Sequence, residues 1–145
     1  MDYRIIIFEG NECTGKSTLK QKFESATNFR QLCVDRMFVT SIVYNEYKGR
    51  HPDLKEKLLK DLDVFIKTFN PLFVVLKTDE QEQEKRFVDR KDWYIKIGEL
   101  RKIQEKYDAI LEDLVKAYPQ NFLILYNNNE EDQDRIIERI KEECK

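Results

Sequence analysis

One eight-residue segment, residues 10–17, constrains the fold of this chain more than any other part of the sequence. It reads Gly-Asn-Glu-Cys-Thr-Gly-Lys-Ser and matches the pattern G-x-x-x-x-G-K-S/T. A continuous apolar run, residues 3–8, precedes it, and the residues from Lys16 to about Phe29 have helical spacing. A strand, a glycine turn and a helix in this order bring backbone N–H groups to a helix amino terminus, and that arrangement binds phosphate groups.

Each residue type in such a loop has a chemical task. Gly10 and Gly15 allow the backbone angles that turn several N–H groups inward. Lys16 supplies a positive charge for the β- and γ-phosphates, and the Ser17 hydroxyl is suited to hold Mg²⁺. The predicted ATP-binding residues are Gly10, Asn11, Glu12, Cys13, Thr14, Gly15, Lys16, Ser17 and Thr18.

Strands and helices alternate along the rest of the chain. Three more apolar runs predict strands, at residues 32–34, 72–76 and 122–126. Helical spacing predicts helices at 37–47, from an Asp53 cap to Phe69, after Thr78 or Asp79, at 100–114, and over 136–144. Unbroken apolar strands are typical of a sheet covered on both faces. The pattern predicts an α/β chain, with a three-layer P-loop NTPase fold and a parallel sheet of about four strands flanked by helices.

Composition and charge limit the number of domains, the partners and the cellular compartment that we expect for this chain. A chain of 145 residues has the size of one domain, and 26 basic against 28 acidic residues give a net charge of −2. This balance argues against nucleic acid as a general partner, although a local basic patch stays open. Three widely spaced cysteines predict no disulfide framework and favour a reducing, cytoplasmic compartment. The apolar runs are about six residues long, too short to span a membrane.

Taken over residues 8–18, the loop resembles those of thymidylate kinases and deoxynucleoside kinases. In thymidylate kinases an acidic residue stands at the position of Glu12, near the acceptor sugar and the metal. The Glu9-Gly10-Asn11 start is more similar to deoxynucleoside kinases, in which the glutamate acts as a base toward the 5′-hydroxyl. The resemblance therefore implies an acceptor contact for Glu12 and a catalytic role for Glu9.

A second similar stretch begins at Asp35 and ends at Asn45. On its own an Asp-Arg pair is more typical of a surface salt bridge, but its place after a strand and beside the loop favours function. In thymidylate kinases the pair closes a strand, so the resemblance implies that Asp35 holds Mg²⁺ through water and that Arg36 grips a phosphate. It further implies that Ser41 and Tyr44 face the base and the deoxyribose of the acceptor, with Asn45 beside them.

The charged segment at about residues 80–100 resembles the lid of both kinase families. Arg86 and Arg90 stand at the positions of lid arginines, which neutralise charge on the γ-phosphate during transfer. A solvated helix face is the alternative interpretation of these two residues. For Lys91 and Arg101 we favour the solvated face.

The chain departs from thymidylate kinases between the loop helix and Asp35. There the family carries an insert with an arginine that clamps the acceptor phosphate and an aromatic ring that stacks on the base. Only residues 29–34 fill this gap here, and Arg50 and Tyr47 are the candidates for replacing the two groups.

Together the resemblance implies one kinase domain, residues 1–145, acting in the cytoplasm in nucleotide metabolism. It would transfer a phosphoryl group from ATP, with Mg²⁺, to a deoxynucleoside monophosphate such as dTMP. Two alternatives remain: a kinase acting on a deoxynucleoside or on a modified nucleotide in DNA, and a nucleotide-binding interaction protein without kinase activity. The expected partners are ATP and a small nucleotide acceptor, with a homodimer left open and no membrane.

Overall fold

The computed structural model describes residues 5–90 and 96–145 of the chain. Its strands are β1 Ile5–Glu9, β2 Leu32–Asp35, β3 Leu72–Lys77 and β4 Phe122–Tyr126. Its helices are α1 Lys16–Ala26, α2 Val39–Lys48, α3 Leu54–Phe69, α4 Glu80–Arg90, α5 Glu99–Ala117 and α6 Glu130–Glu143. Within these residues the strands form one sheet of four, in the order β2-β1-β3-β4.

All three strand pairs in the sheet are parallel. Ile5 pairs with Leu32, and Ile6 pairs with Leu72, so β1 lies between β2 and β3. The strand β4 completes the sheet beside β3, where Phe73 pairs with Phe122. Helices cover both faces of the interior strands β1 and β3, and burial on both faces explains the continuous apolar runs of these strands.

Alternate residues of the central strands enter two separate cores. Ile7, Phe73 and Val75 pack with α2, α3 and α5 on one face of the sheet. Ile6 and Phe8 pack with α1 and α6 on the other face. The predicted three-layer α/β architecture with a four-stranded parallel sheet is confirmed.

The helix boundaries differ from the predicted ones where the backbone turns left-handed. The first helix ends at Ala26 rather than near Phe29, because Asn28 and Phe29 have φ of 52° and 56°, outside the range of a right-handed helix. In the same way α2 begins at Val39 rather than at residue 37, since Phe38 has φ of 65°.

The other helix boundaries agree more closely, except at the last helix. The last helix begins at Glu130, well before residue 136, because the Asn129 side chain accepts a hydrogen bond from the Asp132 amide and caps it. Asp53 does precede α3, as predicted, but its side chain makes no capping hydrogen bond. Of the predicted first strand, residues 3 and 4 lie outside the described part of the chain.

The four strands end at the same edge of the sheet, because they are parallel. The residues that follow them are Gly10, Arg36, Thr78 and Asn127. Ligands of open parallel sheets bind at this edge. Across residues 5–90 and 96–145, no helix combines the length and the apolar character that crossing a bilayer demands.

Candidate active site

The loop between β1 and α1 excludes side chains at both of its glycines. Gly10 has φ of 142°, and a Cβ there would lie 2.4 Å from the backbone oxygen of Leu76. Gly15 has φ of 81°, and its Cβ would lie 2.6 Å from Nδ2 of Asn127. Both the backbone angle and the lack of space therefore require glycine at these two positions.

Three consecutive carbonyl groups of the loop are held from outside by side chains. The donors and their acceptors are Gln83 to the Glu12 oxygen at 2.8 Å, Arg86 to the Cys13 oxygen at 3.2 Å, and Asn127 to the Thr14 oxygen at 2.9 Å. In a trans peptide the carbonyl and the next N–H point in opposite directions. Gln83 and Asn127 do not line the cavity at the loop, so the Glu12 and Thr14 carbonyls that they hold point away from it, and the N–H groups that follow these carbonyls face inward, as phosphate binding requires.

The ammonium group of Lys16 lies across this loop. It donates to the Asn11 backbone oxygen at 2.7 Å and to Oγ1 of Thr14 at 3.4 Å, and the residue is buried. Burial, together with the nearby charge of Arg36, lowers the pKa of Lys16 to about 8, against the opposing effect of neighbouring carboxylates. A phosphate group at the loop would restore a charged partner to this lysine.

Ser17 and Asp35 form the pair of oxygen donors that the sequence predicts for a metal. The Ser17 hydroxyl donates to a carboxylate oxygen of Asp35 at 2.9 Å, and both residues are exposed. Hydroxyl, carboxylate and water oxygens are the ligands that Mg²⁺ prefers. The donor set therefore fits this ion.

The carboxylate of Glu12 accepts hydrogen bonds from two arginines, one that follows β2 and one at the end of α4. Arg36 donates to Oε1 at 2.7 Å and Arg90 to Oε2 at 3.3 Å, while the Tyr44 hydroxyl lies 3.4 Å from Oε1. Burial alone would raise the pKa of Glu12, but Arg36, Lys16 and Arg90 outweigh it and hold the pKa below its ordinary value. An ionised Glu12 therefore keeps Arg36 and Arg90 close to the loop.

Glu9 lies beneath these groups and is fully buried. Its two carboxylate oxygens accept hydrogen bonds from the Met37 amide and the Thr40 hydroxyl, each at 2.5 Å. The Thr40 hydroxyl also lies 2.9 Å from that of Tyr107. Burial raises the pKa of Glu9 to about 7, although the bonds from Thr40 and Met37 and the charge of Lys16 act against it. Glu9 thus supports the turn that carries Arg36, and Thr40 stands between it and the open site.

Two adjoining cavities open at this edge of the sheet. The first, which we call the loop cavity, has about 580 Å³ and is lined by Cys13, Gly15, Lys16, Thr18, Arg86, Asp89 and Gln133 beside the shared residues. The second, the α2 cavity, has about 750 Å³ and is lined by Thr40, Ser41, Tyr44, Asn45, Arg50, His51 and Leu54 beside the same shared residues. The wall common to both consists of Glu12, Ser17, Asp35, Arg36 and Arg90.

The predicted acceptor residues Ser41, Tyr44 and Asn45 thus lie together in the α2 cavity. The side-chain amide of Asn45 is already used there: it donates to the His51 carbonyl at 2.9 Å and accepts from the His51 amide at 3.1 Å. Asn45 therefore shapes the turn before α3. Of the two candidates for the missing clamp groups, Arg50 reaches the cavity wall.

Tyr47, the second of these candidates, is committed elsewhere, since its hydroxyl donates to Glu99 at 2.5 Å. Asn11 likewise acts within the protein: its Nδ2 donates to the Leu100 oxygen at 2.7 Å and ties the loop to α5. In the lid segment, Arg101 pairs with Glu80 on the surface of the molecule. Lys91, and residues 91–95 of the predicted lid, lie outside the described residues.

Similarity to known proteins is found through structure. No protein-family model and no curated protein matches the chain. YorR from Bacillus subtilis, solved in complex with phosphorylated GDP, is 20% identical with a TM-score of 0.69, over 94% of this chain and 93% of that one. Thymidylate kinase from Ehrlichia chaffeensis is 14% identical with a TM-score of 0.57, over 100% of both chains. Thymidylate kinase from Candida albicans is 15% identical with a TM-score of 0.56, over 97% and 90%.

The chain has the fold of the thymidylate kinases. The resemblance predicted from the loop and the Asp-Arg segment is thereby confirmed at the level of the fold. Within this fold, the strand order and the parallel register bring the two sequence segments into contact, since Arg36 and Glu12 are 24 positions apart in the chain and form an ion pair.

Sequence reasoning missed two residues of this thymidylate kinase fold that contact the loop. Gln83 is almost fully buried, and its position three residues before Arg86 and seven before Arg90 places it on the same helix face, which is a signal the sequence does contain. Asn127 is fully buried directly after β4. Its place at the end of a strand could have indicated a contact with the loop, but three asparagines in a row are equally typical of a turn.

Proposed function

We propose that the protein is an ATP- and Mg²⁺-dependent nucleotide kinase whose first candidate acceptor is dTMP. The observation that carries this proposal is the shared wall between the loop cavity and the α2 cavity. Phosphoryl transfer requires a donor and an acceptor held in line at a common boundary. The residues at this boundary are charged groups suited to phosphates and to a metal: Glu12, Ser17, Asp35, Arg36 and Arg90.

In this proposal the loop cavity binds ATP. The inward N–H groups of the loop hold the β- and γ-phosphates, and Lys16 moves from the Asn11 oxygen to those phosphates. Bound Mg²⁺, held by Ser17 and by Asp35 through water, would neutralise charge on the transferred group. Arg86 and Arg90 close over the γ-phosphate from α4, within a lid that we place at about residues 80–100.

The acceptor occupies the α2 cavity. Arg36 holds its phosphate beside the γ-phosphate, while Ser41 and Tyr44 face the base and the sugar. An acceptor oxygen bonds to the γ-phosphorus as the bond to the bridging oxygen of ATP breaks, and ADP leaves. A phosphate acceptor is already ionised and needs no base, whereas a nucleoside hydroxyl must lose a proton. The burial of Glu9 behind Thr40 favours the monophosphate for this reason.

The test offers radiolabelled ATP and Mg²⁺ to the protein with thymidine, dTMP, dCMP, dAMP or a short oligonucleotide. We expect label in dTDP, and none when Lys16→Ala replaces the wild type. Binding of ATP without label in any acceptor would instead support the nucleotide-binding interaction protein. We further propose that residues 1–145 act as one domain in the cytoplasm, and sedimentation at several concentrations would test for a homodimer.

A second candidate acceptor is a nucleotide that carries another anionic group, such as a modified nucleotide in DNA. The observation in its favour is a separate side pocket of about 360 Å³ beside the α2 cavity, with which it shares the lining residues Asn45, Arg50 and His51. Lys55 and Lys106 border that pocket. Label in the oligonucleotide in preference to dTMP, weakened by Lys106→Ala and not by Lys102→Ala, would favour this candidate.

A further inference from the structure

The helix α4 directs one face toward the phosphate loop. Gln83, Arg86 and Arg90 lie on that face, at spacings of three and four residues. Their exposure rises along the helix, from 5% for Gln83 to 25% and 48% for the side chains of Arg86 and Arg90. The beginning of α4 is thus fixed against the loop, while its end is open to solvent.

The more deeply buried of the two hydrogen bonds from α4 to the loop backbone comes from Gln83, and the other comes from Arg86. Nε2 of Gln83 donates to the backbone oxygen of Glu12 at 2.8 Å. The side chain of the same Glu12 accepts from Arg36 and Arg90. Gln83 therefore holds the backbone of the residue whose carboxylate gathers the two arginines of the shared wall.

The backbone conformation of Cys13 explains why the Glu12 carbonyl must be fixed by a hydrogen bond. Cys13 has φ of 62°, a left-handed backbone conformation that is strained for a residue with a side chain. Rotating the peptide between Glu12 and Cys13 would relieve this strain. The same rotation would turn the Cys13 N–H away from the inside of the loop, because the carbonyl and the N–H of one peptide move together.

We infer that Gln83 is a positioning residue that fixes the Glu12–Cys13 peptide, so that the inward N–H of the loop and the lid helix α4 are set by the same hydrogen bond. The inference deepens the proposed function and rests on it only for the role of ATP as donor. The ligand of the positioned N–H is a phosphate chain, as in ADP, ATP or inorganic tripolyphosphate.

The test measures phosphate-chain binding rather than turnover. Gln83→Met keeps the length of the side chain and removes the donor, and we expect calorimetry to give about tenfold weaker binding of ADP and of tripolyphosphate. The matched control is Asn121→Leu. Nδ2 of the buried Asn121 donates to the Pro71 oxygen at 2.8 Å and to Oδ1 of Asn70 at 2.9 Å, at the opposite edge of the sheet, so this variant loses at least as much buried hydrogen bonding as Gln83→Met, but far from the loop.

A role confined to stability predicts equal effects of Gln83→Met and Asn121→Leu on binding, and that result would overturn the inference, as would unchanged binding in Gln83→Met. A second variant, Gln83→Asn, keeps a buried amide that is too short to reach the Glu12 oxygen, and we expect it to bind tripolyphosphate more weakly as well. Wild-type affinity in this variant would also overturn the inference.

The strain argument is tested by a double variant. Glycine adopts positive φ without cost, so Cys13→Gly should restore much of the tripolyphosphate affinity that Gln83→Met loses. No recovery would overturn the assignment of the effect to this peptide. These outcomes stay distinct from failure of the proposed function, because a protein that transfers phosphate to no acceptor can still bind tripolyphosphate at the N–H groups that Gln83 positions.

Discussion

The loop cavity and the α2 cavity share one wall but are built in different ways. Around the loop cavity, buried side chains such as Gln83 and Asn127 hold the backbone, and the ligand would meet N–H groups that are already in place. Around the α2 cavity, Ser41, Arg50 and His51 are exposed side chains on a helix and a turn. The backbone of the first cavity is preorganised, whereas the second has a buried floor at Tyr44 and Asn45 and exposed side chains that a ligand would have to fix.

The shared wall combines both kinds of construction. Arg36 has φ of 67°, and its amide donates to the Phe8 oxygen at 2.9 Å, so its backbone is held in a strained turn. Its guanidinium is partly exposed and pairs with Glu12. A rigid backbone thus carries a side chain that can exchange a carboxylate for a phosphate. The difference predicts that variants near the loop affect donor binding and rate, and that variants near α2 affect only the acceptor.

Lys16→Ala should have the largest effect, because it removes the charged group of the preorganised cavity. We expect transfer to fall by about 10³-fold or more, with weaker binding of ATP. Rates with labelled ATP and affinities from calorimetry measure the two effects. Wild-type turnover in this variant would contradict the role of the whole loop.

The same lysine also predicts a proton uptake. Burial and Arg36 lower its pKa to about 8, and the phosphates of ATP would raise the pKa again. At pH 8 the wild type should therefore take up about half a proton on binding ATP, and Lys16→Ala should take up less. Calorimetry in buffers that differ in their enthalpy of ionisation measures the difference.

Arg36→Ala should have the next largest effect, since Arg36 belongs to both cavities. We expect the rate of transfer to fall by about 10²-fold to 10³-fold, while binding of ADP changes little. The physical reason is that, in the proposed function, Arg36 would bridge the two phosphates most strongly when charge is moving between them. If ADP affinity and the transfer rate fell by the same factor, Arg36 would act in the donor site alone. The claim that the shared wall serves both donor and acceptor would then be wrong.

The difference between the cavities also decides what could be predicted from the sequence. The strand, turn and helix of the loop were predictable, together with the need for glycine at Gly10 and Gly15, because they depend on local backbone angles and fixed spacing. The strands were predictable for a similar reason, since burial on both faces leaves an unbroken apolar run. The ends of α1 and α2 were not, because positive φ at Phe29 and Phe38 has no local sequence signal.

The contacts between residues far apart in the chain could not be predicted from the sequence either. The bond from Gln83 to Glu12 joins residues 71 positions apart, and only the packing of α4 on the loop creates it. The burial of Glu9 behind Thr40 depends in the same way on how α2 meets the sheet. A base role for Glu9 was implied by resemblance, and the fold places its carboxylate inside the protein.

Glu9→Gln tests the buried carboxylate that supports the turn carrying Arg36, a residue of the shared wall. Burial raises the folded pKa of Glu9 from 4.5 to about 7, so the folded protein binds more protons than the unfolded chain between these values. Stability should therefore fall as the pH rises from about 4.5 to 7. Glutamine can still accept from Met37 and donate to Thr40, so the variant should keep its fold and lose this slope.

Between pH 4.5 and pH 7 and above, the free energy of unfolding of the variant should rise relative to that of the wild type by up to about 3.5 kcal/mol, on the basis of about 1.4 kcal/mol per pKa unit. Urea unfolding between pH 5 and pH 8 measures both proteins. An unchanged slope would contradict the effect of burial. Transfer to dTMP should persist in Glu9→Gln, and its loss without any loss of stability would restore Glu9 as a base.

Arg90→Ala and Arg86→Ala compare two positions of one helix. Arg90 lies on the shared wall, so its loss should lower the rate by about 10-fold to 100-fold with little change in ADP affinity. Arg86 lies in the loop cavity and holds the Cys13 oxygen, so its loss should lower ADP affinity as well as the rate. If the two variants lost rate and ADP affinity to the same extent, the position of an arginine along α4 would not determine its effect.

Arg50→Ala should have the smallest effect, and it tests the α2 cavity alone. Arg50 is exposed, and a contact between an exposed guanidinium and a phosphate is worth about 1 kcal/mol. We therefore expect the KM for dTMP to rise about fivefold, with the KM for ATP and kcat unchanged. The control Arg30→Ala removes another exposed arginine, one that follows α1 rather than the α2 cavity, and should leave the KM for dTMP unchanged.

The charge of the acceptor decides what a change at Arg50 means. If Arg50 replaces the clamp of the missing insert, its loss should weaken dTMP and leave binding of thymidine as it was, because thymidine has no phosphate to hold. Equal weakening of both ligands would instead indicate that Arg50 shapes the cavity through the turn braced by Asn45. A loss of ATP affinity would contradict the separation of the two cavities, since Arg50 lines only the α2 side of their common wall.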